Sequence, residues 1–238
     1  MTPPGSLPPH DPVAEFAGLG VIAFTTTRPA GDFGLGEGEP RPDALARWNA
    51  LQASLASASP ALASARQVHG VTVLDHTAGW EGWRRAEGGD GHVAAAAGIA
   101  CVVTVADCVP VFLAHPSGAV ALLHAGWRGT AGGIVGEGIQ RLVRQGLAAG
   151  DLRVHLGPAI CGRCYEVGPD VFERLTGWTT VRSRHVDLRA LLAEQAKAHG
   201  VTALTASAWC TRCDNDRFFS HRAGDAARQV SVIAMPLG

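Results

Sequence analysis

A single α+β domain is what this sequence predicts, and three observations predict it. Strand-like and helix-like stretches mix without the strict alternation that a doubly wound sheet requires. No repeat or interior linker divides the chain once its Pro-rich start, residues 1–12, is passed. The composition also supports a real core: 238 residues, 47% apolar and 17% charged, are long enough to bury one and too apolar to stay disordered.

The elements follow in order. Residues 1–12 read as a loose tail ahead of a domain spanning 13–238, and Val21 to Thr27 as a β-branched strand. Asp32 to Pro42 is a Gly/Pro/acidic loop. After Asp43, a suitable N-cap, Ala44, Leu45, Trp48, Leu51 and Leu55 recur at helical spacing. Arg66 to Asp75 reads as two short strands around Gly70, and Trp80 to Gly91 as a glycine-rich loop. Ile99 to Val105, Val109 to His115 and Ala119 to His124 are strands, the last two joined by Pro116-Ser117-Gly118 turn chemistry. A helix is expected from Thr130, carried by Ile134, Val135, Ile139, Leu142, Val143 and Leu147 and ended by Gly150. Strands at 152–156, 201–208 and 229–234 and helices at 169–175 and 188–199 complete the reading.

Composition excludes several classes of function. A formal net charge of −1, with no Lys/Arg block, gives no footprint for nucleic acid or an anionic membrane. The longest apolar run, Val93 to Ala106, is 14 residues and holds a glycine, whereas a membrane helix needs about 20. The N-terminus has neither a basic start nor an apolar stretch, so a soluble cytoplasmic protein is expected. Six cysteines in such a chain read as buried, metal-binding or catalytic groups rather than a disulfide framework.

Chemistry concentrates at the mouth of the 109–124 hairpin. A turn at 116–118 makes facing positions sum to about 233 or 234, which puts Cys108 within a residue or two of the position facing His124. Directly opposed Cβ atoms lie about 5 Å apart and diagonal ones about 7–8 Å. One metal ion can therefore bind both, since Zn–S and Zn–N bonds are about 2.3 and 2.0 Å. His69 is the best placed of the other histidines for a third ligand, although spacing does not choose among them. The plain alternative makes Cys108 a small core residue and His124 a hydrogen-bonded strand end. Beyond His124, Gly126, Gly129, Gly132 and Gly133 surround a helix start, which favours anions, and Arg128 there offers a fork suited to phosphate or carboxylate.

QVHGV (67–71), ADCVPV (106–111), HAGWRG (124–129), GPAI (157–160) with YEVG (165–168), and FFSHR (218–222) occur in this order. From about residue 20 onward the chain closely resembles the laccase-domain, or YfiH-like, family, also labelled polyphenol oxidase, purine nucleoside phosphorylase and peptidoglycan editing factor. The resemblance implies packed mixed β-sheets flanked by helices, related to cysteine-hydrolase-like toxin domains. It implies phosphorolysis of adenosine, guanosine, inosine and methylthioadenosine, with adenosine deamination besides, so that the partners are a purine nucleoside and phosphate. It implies one Zn(2+) per chain held by His69, Cys108 and His124. Arg128 and Asp107 are the expected catalytic groups, and Gln67, Arg128 and Arg222 the expected substrate contacts. Asp107 and Asp90 are each open to a second reading, as carboxylates bonded to backbone N–H groups. Two departures stand out: Phe33-Gly34-Leu35-Gly36 lacks the family's asparagine, and His221 replaces a tyrosine.

Three alternatives stay open. Two histidines and a cysteine can hold Cu(2+) in a polyphenol oxidase, although no His-x-His pair marks further copper and Met235 is the only methionine after Met1. Cys108 with His124 as base would make a thiol hydrolase acting on a cell-wall precursor. Cys161-Gly-Arg-Cys164 and Cys210-Thr-Arg-Cys213 have the format of a structural zinc site, with an unusually long interval of 45 residues. The oligomeric state, monomer or homodimer, is not set by the sequence.

Overall fold

Unbroken apolar runs such as Val109 to Ala114 suit strands covered on both faces, and the architecture provides that cover. The computed structural model describes residues 6–36 and 40–237. Its elements are β1 (His10–Pro12), β2 (Ile22–Thr26), α1 (Pro42–Leu55), β3 (Ala61–Ala65), β4 (Val73–His76), β5 (Gly82–Ala86), β6 (Gly91–Ala94), β7 (Ile99–Val105), β8 (Val109–Ala114) and β9 (Val120–Ala125). There follow α2 (Trp127–Ala131), α3 (Ile134–Arg144), β10 (Arg153–Leu156), β11 (Glu166–Val167), α4 (Pro169–Thr176), β12 (Arg184–His185), α5 (Leu188–Ala198), β13 (Ala203–Ala206) and β14 (Gln229–Met235).

Two six-stranded mixed sheets, ordered β1-β2-β14-β7-β3-β5 and β13-β10-β8-β9-β6-β4, form the middle of one α+β domain. Side-chain alternation divides the core into layers. Phe112, Ala114, Val120 and Leu122 of the second sheet meet Ile99, Cys101, Val103 and Val105 of the first. On the opposite face of β8 and β9, Val111, Leu113, Ala121 and Leu123 pack against Ile134, Ile139, Leu142, Leu188 and Leu192 of α3 and α5. The outer face of the first sheet, with Val102, Val230 and Val232, is covered by Trp48, Leu51 and Leu55 of α1. The order is helix, sheet, sheet, helices. Among the described residues no helix is long and apolar enough to cross a membrane.

Several expectations need correction. Residues 1–5 of the expected tail lie outside the described residues, but His10–Pro12 pairs antiparallel with β2 and is part of the sheet. The cap of α1 is Arg41 rather than Asp43, because Pro42 takes the first helical position, where its missing N–H costs nothing. The segment 66–72 is irregular, the expected loop from Trp80 to Gly91 holds β5 and the first residue of β6, and β3 lies where the sequence predicts no strand. Finally, the helix expected from Thr130 is two helices, parted where Gly133 adopts a left-handed φ of 81°.

Phe112 is fully buried between the sheets. Phe112→Ala should lower stability by about 3–5 kcal/mol, as large-to-small core changes of this kind do, and denaturant unfolding would measure it.

Candidate active site

The site is built at the open end of the β8–β9 hairpin. Its register pairs Pro110 with His124 and Val109 with Ala125, so that continuing it brings Cys108 opposite Gly126. A Cβ on Gly126 would stand 2.9 Å from Cys108 Sγ and 3.3 Å from His69 Cδ2, so glycine is what allows the approach. The ligand-capable atoms of His69, Cys108 and His124 all lie within 4.8 Å of one another. The two imidazoles meet edge-on, with centroids 4.9 Å apart.

Asp90, fully buried, holds this cluster together. Its Oδ1 accepts from His69 N (2.9 Å) and its Oδ2 from Val68 N (3.2 Å) and Gly70 N (2.7 Å). Oδ1 also lies 2.9 Å from His124 Nδ1, which fixes that ring and leaves Nε2 free to bind another group. A carboxylate behind a metal-binding imidazole sets its tautomer and raises its basicity. His69 has a left-handed φ of 59°, unfavourable for a side chain with a Cβ, and the amide bonds to Asp90 hold it there.

Charge is organised to match. Burial opposes ionisation of the Cys108 thiol, but His124 and His69 outweigh it and bring the thiol down to about 6. Burial likewise disfavours protonated His124, while Cys108 and Asp90 prevail and raise it to about 9. Both shifts favour a thiolate–imidazolium pair when no metal is bound. Burial works against the Asp90 carboxylate too, yet bonds from His124 and Gly70 hold it below the usual range. One thiolate and two imidazoles suit zinc, and three protein ligands are the number that leaves a catalytic zinc one open position. The fit rests on the freed His124 nitrogen, the ionised thiol and the space at Gly126.

Two chambers meet at the cluster. The larger, about 400 Å³, is lined by Gly34, Leu35 and Gly36, by Arg66, Arg85 and Arg228, and by the cluster itself. The smaller, about 280 Å³, is bounded by Trp127, Arg128, Ile160, Tyr165 and Arg222 together with His69 and Cys108. His221 lines both.

The residues expected from sequence fall into two groups. Arg128 stacks 4.5 Å over Trp127 and, among the described residues, has no ion-pair partner. Arg222 lies over Tyr165 and donates to the Glu166 carbonyl. Both therefore present guanidinium groups to the smaller chamber. Gln67 reaches the larger chamber, but its amide donates to Thr104 O and accepts from Thr104 N and Oγ1, which commits it to β7. Asp107 has a left-handed φ of 83°, and its oxygens already accept from Thr211 Oγ1 (2.6 Å) and Arg222 N (2.7 Å). These contacts make Asp107 a positioning group and leave little capacity for the proton-accepting role. Phe218 and Phe219 are core.

Tyr165, Arg66, Arg85 and His221 were not among the residues expected to act. Tyr165 sits within the quoted YEVG motif, a usable signal; the arginines of β5 and of the segment after β3 carry no local mark. The helix start expected to attract an anion is the short α2, so the cationic character of the smaller chamber comes from Arg128 and Arg222.

Fold and site together define an α+β scaffold with a candidate His/Cys metal site. Residues 30–236 match the family described as multi-copper polyphenol oxidoreductase laccase, and the chain belongs to this laccase-domain family. It is 36% identical over 211 positions to a purine nucleoside phosphorylase of Deinococcus radiodurans, covering 83% of this chain and 79% of that one. It is 38% identical over 150 positions to adenosine deaminase RL5 from an unknown prokaryotic organism, with 57% of each chain covered. The crystal structure of YlmD from Geobacillus stearothermophilus superposes with a TM-score of 0.81 at 30% identity, over 93% of each chain.

Two outcomes follow from this geometry. Asp90→Asn should weaken metal binding by about 10–100-fold, the usual cost of losing such a supporting group, as read by competition with a chromogenic chelator. Since His124 is protonated up to about 9 while Cys108 is ionised down to about 6, metal uptake at neutral pH should expel the His124 proton. Affinity should then rise with pH until about 9 and fall steeply below about 6 as the thiolate is also protonated. Calorimetry in buffers of different ionisation enthalpy counts the proton; none released would show His124 to be neutral beforehand.

Proposed function

We propose that this chain is a zinc-dependent purine nucleoside phosphorylase that also deaminates adenosine at the same site. The observation that carries the reading is the meeting of two chambers at His69 and Cys108, with His124 facing the larger one and Arg128, which has no ion-pair partner among the described residues, walling the smaller. Phosphorolysis needs that arrangement: a nucleoside and an anion, held separately, must touch at one bond. The names of the relatives agree with it.

Phosphate is held in the smaller chamber by Arg128 and Arg222, whose forked guanidinium groups bind such oxygens in pairs. The nucleoside occupies the larger chamber beside the 34–36 loop, with its C1′ toward the cluster. A phosphate oxygen bonds to C1′ while the C1′–N9 bond breaks and its electron pair departs with the purine. His221, facing both chambers, is placed to supply the proton that the leaving base takes up. Tyr165, held protonated by burial that pushes it up to about 12, donates a hydrogen bond toward the phosphate. Asp107 keeps Cys108 and the Arg222 backbone in place. His69, Cys108 and His124 would hold a zinc ion, which would supply Lewis acidity. In deamination, water adds at C6 and ammonia leaves.

Copper oxidation fits less well. Met235, the one methionine beyond Met1, packs against Gly118 at the far end of the hairpin, away from His69, Cys108 and His124. Among the described residues, the triad is the only His-containing group of three or more potential ligands.

The test is chromatography of adenosine incubated with zinc-loaded protein, with and without phosphate. Adenine and ribose 1-phosphate should form only with phosphate, and inosine in both samples. Arg128→Ala should raise the phosphate KM at least tenfold, of the order expected for losing a charge-assisted pair of hydrogen bonds, while leaving inosine formation largely intact. Turnover that survives stringent chelation would overturn the metal-dependent reading and point to attack by Cys108.

A further inference from the structure

Outside this site, four thiols have no role in the chemistry above: the half-buried Cys161 and Cys164, the buried Cys210 and the exposed Cys213. Cys161 and Cys164 lie in a turn after β10, and Cys210 and Cys213 in a turn after β13. The two turns are 45 residues apart in sequence, and the parallel pairing of β10 with β13 brings them side by side. An isolated bridge, Ala159 with Cys210, continues that pairing up to the cysteines. All four sulfur atoms fall within 4.8 Å of one another, and those of Cys164 and Cys213 are 3.4 Å apart. A tetrahedron with Zn–S bonds of about 2.3 Å has edges of about 3.8 Å, so the cluster already has nearly that size.

From these contacts we infer that Cys161, Cys164, Cys210 and Cys213 form a second metal site, a structural zinc tetrathiolate separate from the active-site cluster. Each turn contributes two ligands from a C-x-R-C sequence, the format of closed zinc sites. The backbone N–H groups of Cys161 (3.2 Å) and Cys213 (3.4 Å) both point at Cys210 Sγ, which supports negative charge on that sulfur. Four thiolates around a divalent ion leave a charge of −2, and Arg163 and Arg212, one within each turn, offset it; Arg212 also donates to the Cys164 carbonyl. A dithiol redox pair is a poorer fit, because neither turn opens a helix of the kind that activates such thiols.

The placement gives the ion a purpose. Ile160, next to Cys161, donates to the Asp107 carbonyl, and Thr211, next to Cys210, donates to its carboxylate. Tyr165, next to Cys164, forms part of the smaller chamber. A metal joining the two turns thus fixes that wall and, through Asp107, the residue before Cys108.

The experiment counts metal in protein purified under reducing conditions from zinc-supplemented cells. His69→Ala/Cys108→Ser should retain one zinc per chain. Cys161→Ser/Cys164→Ser should contain one fewer than the unaltered protein. X-ray absorption of the His69→Ala/Cys108→Ser protein should show a sulfur-only shell at about 2.3 Å, a reading that does not depend on the cysteine variant folding. Zinc content unchanged by the Cys161/Cys164 substitutions, an absorption shell containing nitrogen, or an intact mass four hydrogens short with no second metal would overturn the site. Iron in the same sulfur shell would overturn the choice of zinc.

Discussion

The arrangement of this site hangs on the carboxylate of Asp90. Placed just before β6 and shut away from solvent, it gathers three consecutive amides of the 68–70 segment and one imidazole nitrogen. Its own carbonyl accepts from His124 N, so β6 and β9 are joined by the same residue that steers the ring. A buried charge is tolerable only when such donors surround it. Here the donors are the very groups that must be fixed for His69 and His124 to face Cys108.

The layering explains why the convergence is rigid. Because β8 and β9 are buried on both faces, a shift by one residue would turn Phe112 and Leu122 toward the helices and Val111 and Leu123 toward the first sheet. The register that pairs Pro110 with His124 is thus held by both cores, and Cys108 inherits its position from it. β7 enters the site from the other sheet, and Gln67 spends its whole amide on Thr104 to keep that strand beside the 66–72 segment.

Much of this was legible in the sequence, for identifiable reasons. The central strands are continuous apolar runs bounded by turn residues, and α4 and α5 show helical spacing, so all were placed within a few positions. The hairpin turn brought Cys108 and His124 together by arithmetic alone. His69 required the family motif, since a histidine in an irregular, left-handed segment leaves no periodic trace. β3 (ALASA) and β5 (GWRRA) were missed because small residues and surface arginines carry little β signal, and their pairing is supplied by distant partners. For Asp90 the second of its two sequence readings, a carboxylate bonded to backbone N–H groups, matches the structure, but nothing local says which amides a carboxylate will collect. His221 was noted as a departure from the family, but its position between the chambers depends on how the segment after Phe219 is held.

Among the described residues, both non-glycine residues with left-handed backbones, His69 and Asp107, belong to the site, and each is kept there by hydrogen bonds made entirely within the protein. A metal ion at His69, Cys108 and His124 would consequently enter a receptacle whose backbone is already set. Departure of the ion would leave a shaped vessel rather than a slack loop, and its return would require no refolding. For such a centre, occupancy would be governed by supply and by the affinity of the ligands.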